Sequence, residues 1–331
     1  MNYIGSKLKL SDFIEASVYE TVENIEDAVF CDIFAGTGIV GRRFKRQCKR
    51  VIANDIEYYS YVLNRNYIGN IGDFDAASLL EELDGLEGIE GFIYRHYALG
   101  GHGERQYFSD ANAKRIDAIR QKIEAWREQG DIDEDRYFFL LASLIESADK
   151  VANTASVYGA YLKQLKRSAQ KELVLEAADF DDAGEGHEVY QEDANSLIGR
   201  ISGDILYMDP PYNQRQYGAN YHMLNTIARY DSFTPRGKTG LREYTRSDYC
   251  KKSVVLERFE ALIREADFRY IFLSYNNEGL MQSQEVEEVM RRYGRYRLAT
   301  TGYQRFKADK TENRKHKANS TTEYLHILEK S

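Results

Sequence analysis

The stretch AVFCDIFAGTGIVGRRFKRQCKRVIAND, residues 28–55, decides the fold. Ala28 to Phe34 is an apolar run of strand length that ends in the glycine turn Ala35 to Gly38, so it reads as a buried strand feeding a turn. Val40 to Gln47 then has helical character, with Arg42, Arg43, Lys45 and Arg46 on its wet faces, and Arg50 to Asp55 is the next strand. Strand, crossover helix and strand make a β-α-β unit, which predicts a parallel sheet. Gly36, Gly38 and Gly41 stand in G-x-G-x-x-G spacing between the first strand and the helix. Glycines at these places permit a tight turn and a close approach of backbone to a nucleotide-type ligand. Asp55 ends the second strand, where a carboxylate can accept hydrogen bonds from both hydroxyls of a ribose. This pattern alone does not separate NAD from S-adenosylmethionine.

Outward from this unit, Lys9 to Thr21 carries Leu10, Phe13, Ile14 and Val18 near helical spacing. From Asp73 to Gly186 the chain turns mostly helical. Ile116, Ile119, Ile123 and Trp126 form one apolar stripe on a helix over 110–128, for which Ser109 is an N-cap candidate. Tyr137 to Ala152 reads as a packed central helix, and Thr154 to Lys171 as a further one that combines Tyr158 and Tyr161 with Lys163, Lys166, Arg167 and Lys171. The acidic, glycine-containing stretch Asp179 to Gly186 is the expected exit linker. Strand signals return at Asp204 to Met208, Arg269 to Ser274, Tyr296 to Thr300 and Thr322 to Leu328. Helical patterns sit at Tyr221 to Tyr230, Leu256 to Glu265 and Glu285 to Tyr293. The expectation is one α/β sheet, interrupted after its second strand by a helical insertion.

Composition bounds the function classes. The chain has 331 residues, 43% hydrophobic and 30% charged, with only three prolines and 24 glycines, which excludes a disordered or collagen-like chain. No run of about 18 apolar residues appears, so no membrane span is expected, and the N-terminus lacks a signal-peptide pattern. Cys31, Cys48 and Cys250 lie far apart with no metal-like spacing, which fits a reducing compartment and predicts a soluble cytoplasmic protein with no metal. Net charge is −8, yet residues 291–317 hold ten Lys or Arg against Asp309 and Glu312, while the nine acidic residues from Glu172 to Asp193 have no Lys or Arg among them. Attraction to a polyanion follows the local basic patch and not the sum over the chain, so nucleic-acid binding is permitted.

Asp209-Pro210-Pro211-Tyr212 follows the apolar strand Ile205 to Met208, at the carboxyl end where open α/β sheets bind ligands. Two of the three prolines are adjacent here. Each fixes φ and lacks an N–H, so the pair makes a rigid, extended turn whose carbonyls point to a set place. Methylation of an exocyclic amine calls for that arrangement. The amine lone pair is delocalised into its ring and is a poor nucleophile. Hydrogen bonds accepted by the Asp209 side chain and the Pro210 carbonyl would hold both N–H groups and favour the tetrahedral nitrogen that attacks the methyl. Tyr212 offers a face on which the base can stack, and a duplex base would have to leave its helix to reach such a pocket.

Residues 2–7 (NYIGSK), Phe34 to Gly38, Asn54-Asp55 and Asp209 to Tyr212 resemble motifs X, I, II and IV of the alpha-group, Dam-like adenine N6 DNA methyltransferases. The motif order matches as well, and the resemblance is closest to the FokI-type modification methyltransferases, on residues 157–163, 213–222, 238–242 and 274–279. It implies a Rossmann-like class I methyltransferase sheet. Residues 1–72 and 187–331 would form the catalytic domain, and 73–186 a mostly helical target-recognition region. It further implies S-adenosylmethionine as cofactor, without a metal. Tyr3, Lys7, Phe34, Gly36, Gly38, Asp55, Asp193 and Asp209 would contact that cofactor, with Lys7 near its carboxylate and Asp193 at its adenine edge. Asp209, Pro210, Pro211 and Tyr212 would be the catalytic turn.

Double-stranded DNA is the implied partner, for which Tyr158, Lys163, Gln214, Arg215, Lys238, Arg242, Arg305 and Lys307 are the candidate contacts. The resemblance points to the modification half of a restriction–modification system, with an endonuclease acting on the same site and no contact required between the two; a monomer suffices. Methylation of cytosine N4 poses the same chemical problem, and an adenine N6 RNA methyltransferase is a second rival. An NAD-dependent dehydrogenase would leave the Pro-Pro turn unexplained and lacks an evident proton-transfer histidine. His222 is expected to be structural.

Overall fold

The computed structural model describes residues 7–71, 75–180, 184–304 and 320–331. The apolar runs become seven strands: β1 (Val29–Asp32), β2 (Arg50–Asn54), β3 (Glu188–Tyr190), β4 (Ser202–Met208), β5 (Asp267–Asn276), β6 (Gly294–Gln304) and β7 (Ser320–Lys330). They lie in one sheet in the order β3-β2-β1-β4-β5-β7-β6. Strands β1 to β5 pair in parallel, with Cys31 opposite both Ile52 and Leu206, whereas β7 runs antiparallel between β5 and β6. The chain winds outward from β1 in both directions, so the sheet is Rossmann-like and its switch point lies between β1 and β4.

A parallel sheet must be covered on both faces. One face packs Cys31, Ile52, Leu206, Ile271 and Leu273 against Phe259, Leu262 and Ile263 of the helix Val255–Glu265 and Val286, Val289 and Met290 of the helix Ser283–Arg291. On β1, Phe30 stacks on Phe44 of the helix Ile39–Phe44 at 4.2 Å. Fully buried aromatics of this kind contribute about 3–5 kcal/mol each against truncation to alanine. Strand β3 has no counterpart in the sequence expectation.

The described residues group into two compact units. One holds 7–56, 184–216, 245–304 and 320–331, and so the entire sheet; the other holds 57–71, 75–180 and 217–244. The helical unit thus takes in 57–71 and 217–244 beyond the expected 73–186. Its long helix Asp110–Gln129 starts where Ser109 accepts from the Asn112 amide and stops at Gly130, whose φ of 76° suits glycine. Ile116, Ile119, Ile123 and Trp126 are buried along it, as the stripe predicts. Asp133 caps the next helix, Glu134–Val151. No helix among the described residues is long and apolar enough to cross a membrane.

The expected helix over Thr154 to Lys171 does not form. Ser156 sits at a φ of 95°, outside helical space. The buried Asn153 instead donates its amide to the carbonyls of Gln106 and Leu162 and accepts from the Lys166 amide, holding the segment in an irregular path. The aromatic and basic spacing there mimics a helix because the tyrosines pack inward: Tyr107 donates to the Tyr158 carbonyl at 2.7 Å, and Tyr161 packs edge-on against Tyr107.

Candidate active site

The carboxyl ends of β1 to β4 carry the residues on which a ligand would act. After β1 the chain turns through Gly36 and Gly38, with φ of 53° and 77°, values that favour glycine. The turn is tied to its neighbours. The Gly38 amide donates to the Ala35 carbonyl at 2.8 Å, and the Ala35 amide to the Asn54 carbonyl at 2.9 Å. Asn54, 1% exposed, donates from its side chain to the carbonyls of Ile33 and Glu192 at 3.1 Å and accepts from the Glu192 amide at 3.0 Å. One side chain therefore joins the ends of β1, β2 and β3. Asn54→Ala removes the partner of three backbone groups, the buried Ile33 carbonyl and the part-buried Glu192 amide and carbonyl, and at about 1–3 kcal/mol for each unsatisfied group a loss of about 3 kcal/mol in a denaturant titration is the expected result.

Asp55 follows directly. Its Oδ2 accepts from the Gly36 amide at 2.8 Å, which fixes the carboxylate at the mouth of the glycine turn. Phe34 sits edge-on to Tyr249 at 4.9 Å, and Tyr249 donates to Asn195 at 3.1 Å. Asp193, exposed, caps the short helix Ala194–Leu197 by accepting from the Ser196 amide, and its charge reaches the Tyr249 hydroxyl. Asp32, at the end of β1, is 1% exposed. Burial, together with the charges of Asp209 and Asp55, pushes its carboxyl well above the usual range against hydrogen bonds from the Gly41 and Phe34 amides.

Across the switch point, β4 delivers Asp209. Lys7 Nζ lies 3.1 Å from Asp209 Oδ1, with the lysine side chain 8% exposed. A helix-start lysine is ordinarily solvated; this one is buried against the Asp209 carboxylate. Burial raises the Asp209 carboxyl above its ordinary value, and Lys7 opposes the rise. Tyr212 is half-buried, and its carbonyl accepts from the Leu280 amide at 3.1 Å, pinning the Pro-Pro turn to the segment after β5. Asn213 accepts from the Arg215 amide at 2.8 Å, and the Gln216 amide and Ser247 backbone bond to each other both ways, so the loop behind the turn is built while Gln214 and Arg215 stay exposed. Asp32, Asn54, Tyr249 and Glu323 were not assigned roles by sequence; a polar residue inside an apolar strand is the signal that marks the first two.

The model of the family described as D12 class N6 adenine-specific DNA methyltransferase matches residues 3–289. The chain belongs to this family. A type II methyltransferase of Neisseria lactamica, M.NlaIII, is 66% identical over the full length of both chains. M.CviAII of Paramecium bursaria Chlorella virus 1 is 38% identical over 93% of each, and M.FokI of Planomicrobium okeanokoites is 40% identical over all of this chain and 53% of its own.

For this D12 class methyltransferase, several expected contacts need correction. Tyr158 has no exposed surface and donates to Asp149 at 2.8 Å, so it is a core residue and does not face a solvent-side partner. Arg242 is 9% exposed and spans both oxygens of Asp231 at 2.8 and 2.9 Å, with Phe233 beneath it, so its guanidinium is committed inside the fold. Lys163 and Lys238 are exposed. Tyr3, Arg305 and Lys307 lie outside the described residues. His222 is fully buried between Tyr107 and the Tyr158 carbonyl, and burial pushes its ring down to about 4, which makes it a neutral structural group.

Proposed function

We propose that the enzyme takes its methyl group from S-adenosylmethionine and delivers it to the N6 amine of an adenine turned out of duplex DNA, as the modification enzyme of a restriction–modification system. The observation that carries the reading is the placement of Asp209, on the end of β4, beside the glycine turn of β1 and across from Asp55 of β2. The donor set fits the cofactor: Asp55 for the ribose hydroxyls, Phe34, backed by the buried Tyr249, for a flat base with Asp193 at its edge, and a site rich in carboxyl groups for a cationic ligand. When bound, S-adenosylmethionine supplies an electrophilic methyl on a sulfonium.

The residues of the chain would then do three things. Asp55 and the glycine turn hold the donor, so that the methyl has one address. Asp209 and the Pro210 carbonyl each accept one hydrogen of the target amine, which directs its lone pair away from the ring and toward the methyl. Tyr212 stacks on the base. No covalent bond to the enzyme is required. The Asp209 carboxylate must be ionised to accept, and its raised pKa places the acidic limb of the rate–pH profile above the range of an ordinary aspartate.

Lys163 and Lys238, exposed on the helical unit, are proposed to meet DNA phosphates. Lys238→Ala is then expected to weaken binding alike for all sequences and to lower the slope of log affinity against log salt by about 1. A slope unchanged would remove Lys238 from the interface. The modification role has its own test: DNA treated with the enzyme and S-adenosylmethionine becomes refractory to an endonuclease cutting at the methylated site. Uniform cleavage of fully methylated DNA by every adenine-containing-site endonuclease would contradict it.

A further inference from the structure

A second buried carboxylate acts on Lys7 through its charge, without an ion pair between the two. Glu323 stands on β7, in register with Asn276 of β5 and Thr301 of β6, and is 7% exposed. It accepts a hydrogen bond from the Asn276 side chain, and its Oε2 is enclosed without a hydrogen-bond partner among the described residues. The ionisable groups around it are Lys7, Asp209, Glu278, Tyr207 and Tyr212. Burying a carboxylate is costly unless a cation compensates, and Lys7 is the cation whose field it feels.

One buried ammonium, in contact with Asp209 and within the field of Glu323, accounts for the directions at all three groups. Burial pulls the Lys7 ammonium down, but Asp209 and Glu323 together push it higher still. Burial raises both carboxyls above their ordinary values, and a shared cation offsets that only in part. An ammonium paired with a single carboxylate draws off its charge and dulls it as an acceptor; a second carboxylate competes for the same ammonium.

We propose that Glu323 is a positioning residue of the methyl-transfer site: buried on β7, two strands from Asp209 at the same end of the sheet, it shares the field of Lys7, which steadies the Lys7–Asp209 pair and keeps the second oxygen of Asp209 a strong acceptor for the target amine. This rests on the reading of Asp209 as the group that meets that amine. It also gives the C-terminal hairpin a task, since β7 brings the far end of the chain to the catalytic turn.

In Glu323→Gln, isosteric and uncharged, single-turnover methylation of duplex DNA at saturating S-adenosylmethionine is expected to fall by about tenfold or more. Affinity for S-adenosylhomocysteine and the thermal midpoint stay close to those of the unsubstituted chain. The acidic limb of the rate–pH profile moves to lower pH, because Asp209, given Lys7 alone and relieved of a neighbouring negative charge, ionises more readily. Glu323→Asp recovers part of the rate. The double variant Lys7→Gln with Glu323→Gln is no slower than Lys7→Gln, because Glu323 acts through Lys7. A Glu323→Gln rate within about twofold of the unsubstituted chain overturns the proposal, as does a double-variant loss equal to the product of the two single losses. A parallel loss of S-adenosylhomocysteine affinity overturns it too, by making Glu323 part of the cofactor pocket. Were Glu323→Gln not to fold, Glu323→Asp decides, full rate with an unmoved acidic limb being the contrary result. Failure of the underlying reading looks different: turnover then survives Asp209→Ala whatever Glu323 does.

Discussion

Asp209→Ala is expected to abolish methyl transfer while the enzyme still binds duplex DNA and keeps its fold. The side chain is asked to accept one hydrogen of the amine, an interaction that strengthens as the nitrogen becomes tetrahedral. Loss of one preorganised hydrogen-bonding group at a developing charge costs about 10²–10³ in turnover. Here the loss also frees Lys7 to swing toward Glu323, so the remaining Pro210 carbonyl faces an amine held on one side only. A fall of about a thousandfold or more in single-turnover rate is the expected result. Asp209→Asn retains an acceptor of the same shape but no charge, and is expected to lie between the two. The control is affinity for DNA, measured by titration at fixed salt; a matching collapse there would assign Asp209 to DNA binding rather than to the reaction.

Asp55→Ala carries the second large effect, on the donor side. Its carboxylate both anchors the Gly36 amide and is proposed to accept from the ribose hydroxyls. Hydrogen bonds to a charged group contribute about 1.5–3 kcal/mol each, so removal of two such bonds, with a loosened turn, is expected to weaken S-adenosylmethionine binding by about 3–4 kcal/mol, a few hundredfold. Calorimetry reads this directly. At saturating donor the rate per bound complex stays within about tenfold of normal, because Asp55 does not touch the amine. An unchanged affinity would separate the glycine turn from the cofactor and reopen the site.

These two effects fall on residues that were legible in the sequence, and for a physical reason. Asp55 and Asp209 end apolar runs, and in a parallel sheet the strand ends are where turns and ligands meet. Glycines at Gly36 and Gly38 mark the turn because other residues rarely adopt those φ values. The central strands were equally legible, since β1, β2, β4 and β5 are buried on both faces and leave short apolar runs. Strand β3 escaped notice because Glu188 to Tyr190 is three residues long and half-buried, with no run to see. The stretch 154–171 misled because periodicity cannot tell tyrosines that pack inward around Asn153 from tyrosines on a helix face. Nor could sequence alone show Lys7 beside Asp209 and within the field of Glu323. Those residues come from opposite ends of the chain, and only the pairing of β5, β7 and β6 brings the last of them home.

The burial of Lys7 also changes the meaning of the N-terminal motif. The resemblance places Lys7 near the carboxylate of the cofactor, and the structure places it 3.1 Å from Asp209, the acid proposed to meet the target amine. Lys7 thus supports the proposed reacting centre, whatever further contact it makes with the donor.

On the proposed reading, this chain methylates adenine N6 in duplex DNA at the Asp209 turn. Its most direct test is to incubate the enzyme with labelled S-adenosylmethionine and unmethylated duplex DNA, digest to nucleosides and separate them by mass, with Asp209→Ala run alongside. Label in N6-methyladenine, absent with the variant, is the predicted result. Label in N4-methylcytosine, or label in N6-methyladenine that survives Asp209→Ala, would contradict it.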